Sequence, residues 1–230
     1  MEEQFERTAS LLGREAMEKL FRARVAVFGV GGVGGACAEA LARAGVGAID
    51  LFDNDKVSLS NINRQIVALH STVGRYKAEV MRERIRDINP NCKTGAFKLF
   101  YMPDTADHID LAVYDYIADA IDTVTGKLEL IVRSKAAGVK IICAMGAGNK
   151  LDPSGFVVTD ISKTETDPLA KIIRKELRAR GIAGVKAVWS KEQPIANSQP
   201  PASCSFVPPV CGLILAGEIV RDLIAADQKQ

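Results

Sequence analysis

The sequence predicts an α/β fold built on a doubly wound, mostly parallel sheet, with a C-terminal extension. Three observations lead to this prediction. Apolar segments of strand length alternate with segments of helical periodicity. A glycine-rich turn follows the first strand, and acidic residues follow the second and the fourth. With 230 residues, the chain is long enough for one large α/β domain or a domain with an appendage.

The predicted strands are continuous apolar runs, which is the pattern of strands buried on both faces of a parallel sheet. In chain order they cover residues 24–29, 47–53, 93–100, 114–122, 140–147, 155–162 and 187–190. We expect segment 155–162 at an edge of the sheet.

The predicted helices carry apolar residues at helical spacing and cover residues 11–21, 34–45, 74–89, 125–138, 167–181 and 210–226. Gly45 is suited to a C-terminal cap, and Pro90 ends the third helix. The last helix contains Glu218, Arg221 and Asp222. We therefore expect a docked core or dimer helix and not a membrane anchor.

Composition excludes several classes of protein. The net charge of +2 permits an anionic partner without requiring one. None of the five cysteines is spaced C-x-x-C, which argues against a structural zinc site built from paired knuckles. The N-terminus is acidic and polar, unlike a signal peptide, and no apolar stretch has the length of a membrane span. We expect a cytoplasmic protein.

The turn GVGGVG, residues 29–34, follows a predicted strand and opens a helix. Gly29, Gly31 and Gly34 match G-x-G-x-x-G, and Asp53 lies 19 residues beyond Gly34. This spacing is typical of a site for adenosine with phosphates, in which the carboxylate accepts ribose hydroxyls. It does not separate NAD from ATP. The alternative is that the turn only packs a helix on a strand and that Asp53 is a solvated residue at the end of a strand. Asp55 is expected to be a solvated residue of this kind.

The residues after Asp53 favour a triphosphate. Arg64 and Lys77 can converge on a polyphosphate, and Asn61 and Gln65 add neutral hydrogen-bonding groups beside it. A dinucleotide needs little from this segment. Alternatively, Arg64 is a surface residue and Lys77 is one charge on a highly charged helix.

The segment DAID places Asp119 and Asp122 at the end of the fourth strand. Ligands of doubly wound folds bind at this carboxyl edge. A carboxylate there can hold Mg²⁺ between phosphate oxygens, although Asp122 could instead cap the next helix.

These motifs resemble those of the ubiquitin-activating-enzyme-like superfamily of adenylyltransferases, of the ThiF and MoeB type. The segments that carry the resemblance are GVGGVG, DLFDND, SLSNINRQ, GRYKAEVM and DAIDT. RTASLLGREAMEKL, TDISKTETDPLAKIIRKELR and VWSKEQP are similar to the branch of tRNA threonylcarbamoyladenosine dehydratases. The resemblance covers nearly the whole chain. It implies one domain, residues 1–230, with a nucleotide-binding core at 1–150 and an extension at 151–230. The polar, proline-rich composition of this extension predicts a mobile loop at about 192–205.

The resemblance also implies roles for individual residues. The residues implied to bind ATP are Gly29, Gly31 and Gly32 at the phosphates and Asp53 at the ribose. Asn61 and Gln65 are implied to support the pocket. Catalytic roles fall to Arg64 and Lys77 on the polyphosphate, Asp122 on Mg²⁺, and Arg7, which reaches across a homodimer into the partner's site.

The implied activity is ATP-dependent dehydration of threonylcarbamoyladenosine in tRNA, a cyclo-ligase reaction that begins by activating a carboxylate. No enzyme thioester is needed, so Cys204 in the proline-rich loop is expected to be a spare thiol. A tRNA partner suits the basic segment 171–186, with Lys171, Arg174, Lys175, Arg178, Arg180 and Lys186. A solvated basic helix is the alternative.

Three other functions remain open at this point. One is an adenylyltransferase that activates the C-terminal glycine of a ubiquitin-like sulfur carrier, with a sulfur-relay protein as a possible partner. The second is an NAD(P)-dependent oxidoreductase, which would leave Arg64, Lys77 and Asp122 without a role. The third is a nucleotide-sensing scaffold without catalytic activity.

Overall fold

The computed structural model describes residues 2–196, 198 and 200–225. Its seven-stranded sheet has the order β3-β2-β1-β4-β5-β7-β6, in which all neighbours are parallel except β6 and β7. The strands are β1 (Arg24–Phe28), β2 (Ala48–Phe52), β3 (Lys93–Phe97), β4 (Tyr116–Asp119), β5 (Lys140–Ala144), β6 (Phe156–Asp160) and β7 (Lys186–Ser190). The predicted mostly parallel α/β sheet is confirmed, and segment 155–162 supplies an edge strand as expected.

Seven α-helices of the described part of the chain cover the two faces of the sheet. They are α1 (Glu6–Leu12), α2 (Arg14–Arg22), α3 (Gly32–Ala44), α4 (Lys77–Ile88), α5 (Val124–Ala136), α6 (Pro168–Ala179) and α7 (Val207–Ile224). Alternate residues of β1 enter two hydrophobic clusters, Val25 and Val27 on one face and Ala26 and Phe28 on the other. The first cluster packs against α2, α3, α4 and α7, and the second against α5 and α6.

The contact between α3 and α7 is unusually close. An added Cβ at Gly212 would lie 2.1 Å from the backbone oxygen of Val33. Only glycine fits at that point, so the start of α7 is held against the first turn of α3. This places the segment that precedes α7 next to the glycine turn.

The order of the strands defines where a ligand would bind. The chain leaves β1 toward β2 on one side and reaches β4 on the other. Doubly wound sheets open a crevice at the carboxyl ends of strands flanking such a switch point. The turns after β1 and β4 therefore meet there, which brings the glycine turn and the DAID segment together.

Several predicted boundaries are wrong. The helix predicted at 11–21 is two helices, α1 and α2, separated by Gly13 with φ of 86°. The strand predicted at 114–122 ends at Asp119, because that carboxylate accepts a hydrogen bond from Ile121 N and turns the chain. The last helix begins at Val207, with prolines in its first turn.

Parts of two predictions lie outside the described residues: position 226 of the predicted last helix, and positions 197 and 199 of the predicted loop 192–205. Gly45 caps α3 in the left-handed conformation, as predicted. Among the described helices, none has the length and apolar character required to cross a membrane.

Candidate functional site

The glycine turn between β1 and α3 is shaped by close backbone contacts. Gly29 has φ of 85°, and an added Cβ would lie 2.6 Å from the oxygen of Ala120. A Cβ at Gly34 would lie 1.8 Å from the oxygen of Gly29. Gly31 precedes α3 and no side chain caps this helix. The first N–H groups of α3 can therefore bind an anion such as a phosphate.

Asp53 lies directly after β2 and faces this turn. Its Oδ2 accepts a hydrogen bond from Val30 N at 2.7 Å, and its Oδ1 accepts one from Asp55 N at 2.8 Å. Burial raises the pKa of Asp53, and the nearby N–H groups and the Lys77 ammonium only partly oppose this effect. Each carboxylate oxygen can accept a further hydrogen bond, as binding of a ribose requires.

Lys77 is the first residue of α4, and its side chain is only 8% exposed. Its Nζ lies 2.7 Å from Oδ2 of Asp55. Asp55 is exposed, as expected of a solvated strand end, but it also fixes the ammonium group beside Asp53. The ion pair of Lys77 and Asp55 keeps a cation at this edge of the sheet. The sequence pattern did not predict this ion pair.

Residues 58–65, which we call the arm, follow this acidic turn. Asn61 is buried and its Oδ1 accepts a hydrogen bond from Ser58 N at 3.1 Å, so its side chain shapes the arm. Arg64 donates from Nη1 to the Ser60 oxygen at 3.1 Å and to Asn63 Oδ1 at 2.9 Å.

Gln65 brings the arm against the glycine turn. Its Nε2 lies 3.7 Å from the position that a Cβ of Gly31 would take. The side chain is buried, and its Oε1 has no hydrogen-bond partner among the described residues. A buried amide oxygen without a partner is costly, so this group is suited to accept a hydrogen bond from a ligand.

The two aspartates of the DAID segment have different environments. Asp119 is fully buried, with its Oδ2 2.8 Å from Nζ of Lys127, which is also fully buried. Lys127 donates a second hydrogen bond to the Ala144 oxygen at 3.0 Å. Asp119 therefore holds the turn, whereas Asp122 is exposed at the carboxyl edge. Lys127 was missed because its spacing is that of an ordinary helix lysine.

The donor set fits a nucleotide better than a metal held by protein alone. The described residues contain no group of three or more metal-ligating side chains. Mg²⁺ bound to phosphates needs only one or two carboxylates, and Asp122 can supply one. The glycine turn and the uncapped start of α3 form a cradle suited to phosphates, and the unpaired Gln65 oxygen can accept a hydrogen bond from a donor group of the ligand.

Arg7 lies elsewhere in the single chain. It is exposed on α1, and Glu2 of the same N-terminal segment accepts a hydrogen bond from Asn91, just before β3. That position is at the amino edge of the sheet, opposite the glycine turn. A role for Arg7 at a nucleotide site therefore requires a second copy of the chain.

The predicted basic segment is only partly available to a partner. Arg174 donates to Thr164, Arg180 pairs with Glu176, and Lys186, which lies in β7, pairs with Glu218 and Asp222. The exposed face of α6 carries the other three cations at helical spacing: Lys171, Lys175 and Arg178.

Four of the cysteines are buried: Cys37, Cys92, Cys143 and Cys211. Cys37 lies in the first hydrophobic cluster and Cys143 in the second. Burial raises the pKa of Cys211 to about 12, so it is a poor nucleophile at neutral pH. Cys204 is partly exposed and packs against the first hydrophobic cluster.

The chain is similar in sequence to known proteins of one family. The profile of the ThiF family matches residues 5–230. A tRNA threonylcarbamoyladenosine dehydratase of Bacillus subtilis is 44% identical over 240 residues, covering 96% of this chain and 94% of that protein. A tRNA threonylcarbamoyladenosine dehydratase of Escherichia coli is 42% identical over 198 residues, covering 83% of this chain and 74% of that protein.

A solved structure extends this similarity to three dimensions. The crystal structure of Escherichia coli tRNA N6-threonylcarbamoyladenosine dehydratase in complex with ATP has a TM-score of 0.93 to this chain, with 38% identity. The alignment covers 99% of this chain and 96% of that one. By its sequence and its fold, the chain belongs to the ThiF family.

Proposed function

We propose that this chain is an ATP-dependent tRNA threonylcarbamoyladenosine dehydratase, which activates the carboxylate of the modified adenosine and closes it into a ring. The observation that carries the proposal is the convergence of the glycine turn, Asp53 and the buried Lys77 at one edge of the sheet. The names of the Bacillus subtilis and Escherichia coli relatives support the choice of substrate.

ATP fits this edge in one orientation. The phosphates lie on the N–H groups of the turn formed by Gly29, Gly31 and Gly32, and the ribose hydroxyls donate to Asp53. Gln65 and the arm, with Asn61 shaping it, close the side of the pocket. The structure of an Escherichia coli relative in complex with ATP supports this choice of nucleotide.

The charge of the polyphosphate is balanced by side chains of this chain. Lys77 exchanges its contact with Asp55 for a phosphate oxygen, and Arg64, held by the arm through Nη1, directs the rest of its guanidinium toward the same group. Asp122 is the residue that would hold Mg²⁺, which supplies further neutralisation of phosphate charge when bound. Arg7 of a second copy completes the site, so the active form is a homodimer.

The reaction has two steps. The threonylcarbamoyl carboxylate attacks the α-phosphorus of ATP, and pyrophosphate leaves. The carbamoyl nitrogen or oxygen then attacks the activated acyl carbon and loses its proton, and AMP leaves as the ring closes. The oxygen lost by the substrate ends in AMP, so cleavage of ATP drives the dehydration. The protein contributes positioning and cationic stabilisation of negative charge in the transition state.

The tRNA is expected to contact the exposed face of α6. Lys171, Lys175 and Arg178 lie on one face of this helix and can track phosphates. Affinity for tRNA should then fall steeply with salt concentration, and replacing all three by glutamine should flatten that dependence. Equal binding of wild-type protein at low and high salt would contradict this assignment.

We further propose one domain over residues 1–230, in which residues 1–150 bind the nucleotide and residues 151–230 extend this core. A cytoplasmic location suits a tRNA substrate. A sulfur-relay protein remains a possible partner, and co-purification with the chain would test it.

The test is a mass measurement on nucleosides. The protein is incubated with ATP, Mg²⁺ and tRNA that carries threonylcarbamoyladenosine, and the tRNA is then digested. We expect a nucleoside lighter by one water, formed only with ATP. No such product would refute the proposal, and transfer of AMP to the C-terminus of a sulfur carrier would identify the alternative activity.

Arg64→Ala separates adenylation from folding. Arg64 is half-buried and its two hydrogen bonds stay within the arm, so the variant should keep its thermal stability while AMP formation is lost. Unchanged AMP formation would remove Arg64 from the mechanism. A parallel titration with NAD checks the oxidoreductase alternative, because tighter binding of NAD than of ATP would favour it.

A further inference from the structure

The described residues between β7 and α7 lie along the carboxyl edge of the sheet; we call residues 195, 196, 198 and 200–206 the strap. Its first part is fixed by Asn149, which follows β5. Asn149 Oδ1 accepts hydrogen bonds from Ser198 Oγ and Ala202 N, both at 2.8 Å. Asn149 N donates to the Ala202 oxygen at 2.7 Å, and Ile195 N donates to the Asn149 oxygen at 2.8 Å.

Asn149 adopts an unusual conformation to make these contacts. Its φ is 58°, and among the described residues it is the one non-glycine residue with positive φ. This conformation costs free energy in most residues, and asparagine tolerates it better than most. Four hydrogen bonds to the strap offset the cost. The strap is therefore held by a specific anchor at this end.

The far part of the strap is fixed by the arm. Asn63 Nδ2 donates to the Ser203 oxygen at 3.0 Å, and Asn63 Oδ1 accepts from Arg64 Nη1 at 2.9 Å. An asparagine amide has a donor end and an acceptor end, and here each end serves a different partner. One planar group thus joins the strap to the guanidinium of Arg64.

Two buried polar atoms flank this junction and have no hydrogen-bond partner among the described residues. They are Ser203 Oγ on the strap and Gln65 Oε1 on the arm. Buried side-chain oxygens are normally paired, and unpaired ones call for an explanation. The first atom belongs to Ser203, which Asn63 contacts, and the second belongs to Gln65, which follows Arg64 in the chain. The residues that join strap and arm therefore have unused hydrogen-bonding capacity.

From these contacts we infer that Asn63 is a positioning residue that couples the strap to Arg64. A substrate that contacts the strap then also changes where the guanidinium points. The inference rests on the proposed role of Arg64 at the polyphosphate. It assigns the strap a part in the reaction although no strap residue needs to touch ATP.

A double-mutant cycle on ATP affinity tests the coupling. Asn63→Ala removes a hydrogen bond to a charged group, so we expect the dissociation constant of ATP to rise on the order of tenfold. In an Arg64→Ala background the same change should have an effect smaller than about twofold, because Asn63 acts through Arg64. Equal factors in the two backgrounds would overturn the inference.

Two further variants provide controls. Ser162→Ala removes an exposed polar side chain at the opposite edge of the sheet, and ATP affinity should not change. Asn63→Asp keeps the acceptor for Arg64 but places a carboxylate against the Ser203 oxygen. It should release the strap while the arginine stays held, so protection of strap amides from hydrogen exchange should fall.

Hydrogen exchange also tests the link without nucleotide. Asn149→Gly keeps positive φ accessible and deletes the two hydrogen bonds that the Asn149 side chain accepts from the strap. If the coupling is real, this variant loses protection of backbone amides in the arm as well as in the strap. Unchanged protection of the arm would overturn the inference, whatever the chain proves to bind. Failure of the wild-type chain to bind ATP would instead refute the proposed function.

Discussion

The buried ion pair of Lys127 and Asp119 permits a quantitative prediction. Both side chains are fully buried, and Asp119 also accepts the hydrogen bond from Ile121 N that forms the turn after β4. Lys127→Met keeps the apolar stem but leaves Asp119 as an uncompensated charge. Breaking a buried pair on one side costs about 3–5 kcal/mol, which is a large fraction of the stability of an ordinary domain.

The assay is urea denaturation followed by circular dichroism. Lys127→Met should lower the midpoint while the slope stays constant, which marks a change in stability and not in compactness. Asp119→Asn combined with Lys127→Met leaves no buried charge and should recover at least half of the loss.

A loss below about 1 kcal/mol in Lys127→Met would refute this reasoning, because Asp119 would then not depend on its partner. If the double variant is no more stable than Lys127→Met, the lost stability comes from altered packing and not from the unpaired charge of Asp119. In either case the turn that presents Asp122 would have to be held by other contacts.

Three further predictions concern the turn, the surface and the loop. Gly34→Ala should destabilise the protein by about 3 kcal/mol in the same denaturation assay, because its Cβ would overlap a backbone oxygen. Burial alone would raise the pKa of Asp222, but hydrogen bonds from Lys186 and Tyr116 lower it. The stability this adds is present above the unfolded pKa and lost as pH falls through the folded pKa. Lys186→Met should therefore cost about 1 kcal/mol at pH 7, and the difference from wild type should shrink on acidification below about pH 4. Cys204→Ser should keep full dehydratase activity in the nucleoside assay. Loss of activity in this variant would indicate a step that uses the thiol.

The sequence was sufficient to predict the sheet, the glycine turn and the edge at which ligands bind. These features depend on local patterns, namely continuous apolar strands and glycines at fixed spacing. Edge strand 155–162 was also predictable, and its antiparallel pairing with β7 became visible only in the structure. The break at Gly13 was missed because a single glycine inside an apolar-periodic segment does not have to end a helix.

The details of the site depend on contacts between distant segments and could not be predicted. Nothing in DAID distinguishes the buried Asp119 from the exposed Asp122, because Lys127 reaches back from the second turn of α5. Likewise, Asn63 and Asn149 lie far from the strap in sequence, and their bonds to it depend on how α7 packs on α3. For residues 61–65, the sequence predicted a cluster of polar side chains. The structure shows that Asn61, Asn63 and Arg64 each have different hydrogen-bond partners.

The most direct test of the central claim follows an oxygen atom. The tRNA substrate is prepared with a heavy oxygen isotope in both positions of the threonylcarbamoyl carboxylate, and AMP from a single turnover is analysed by mass spectrometry. Activation by adenylation predicts one heavy oxygen in the phosphate of AMP and none in pyrophosphate. Unlabelled AMP, or label found in inorganic phosphate together with ADP, would contradict carboxylate adenylation at this site.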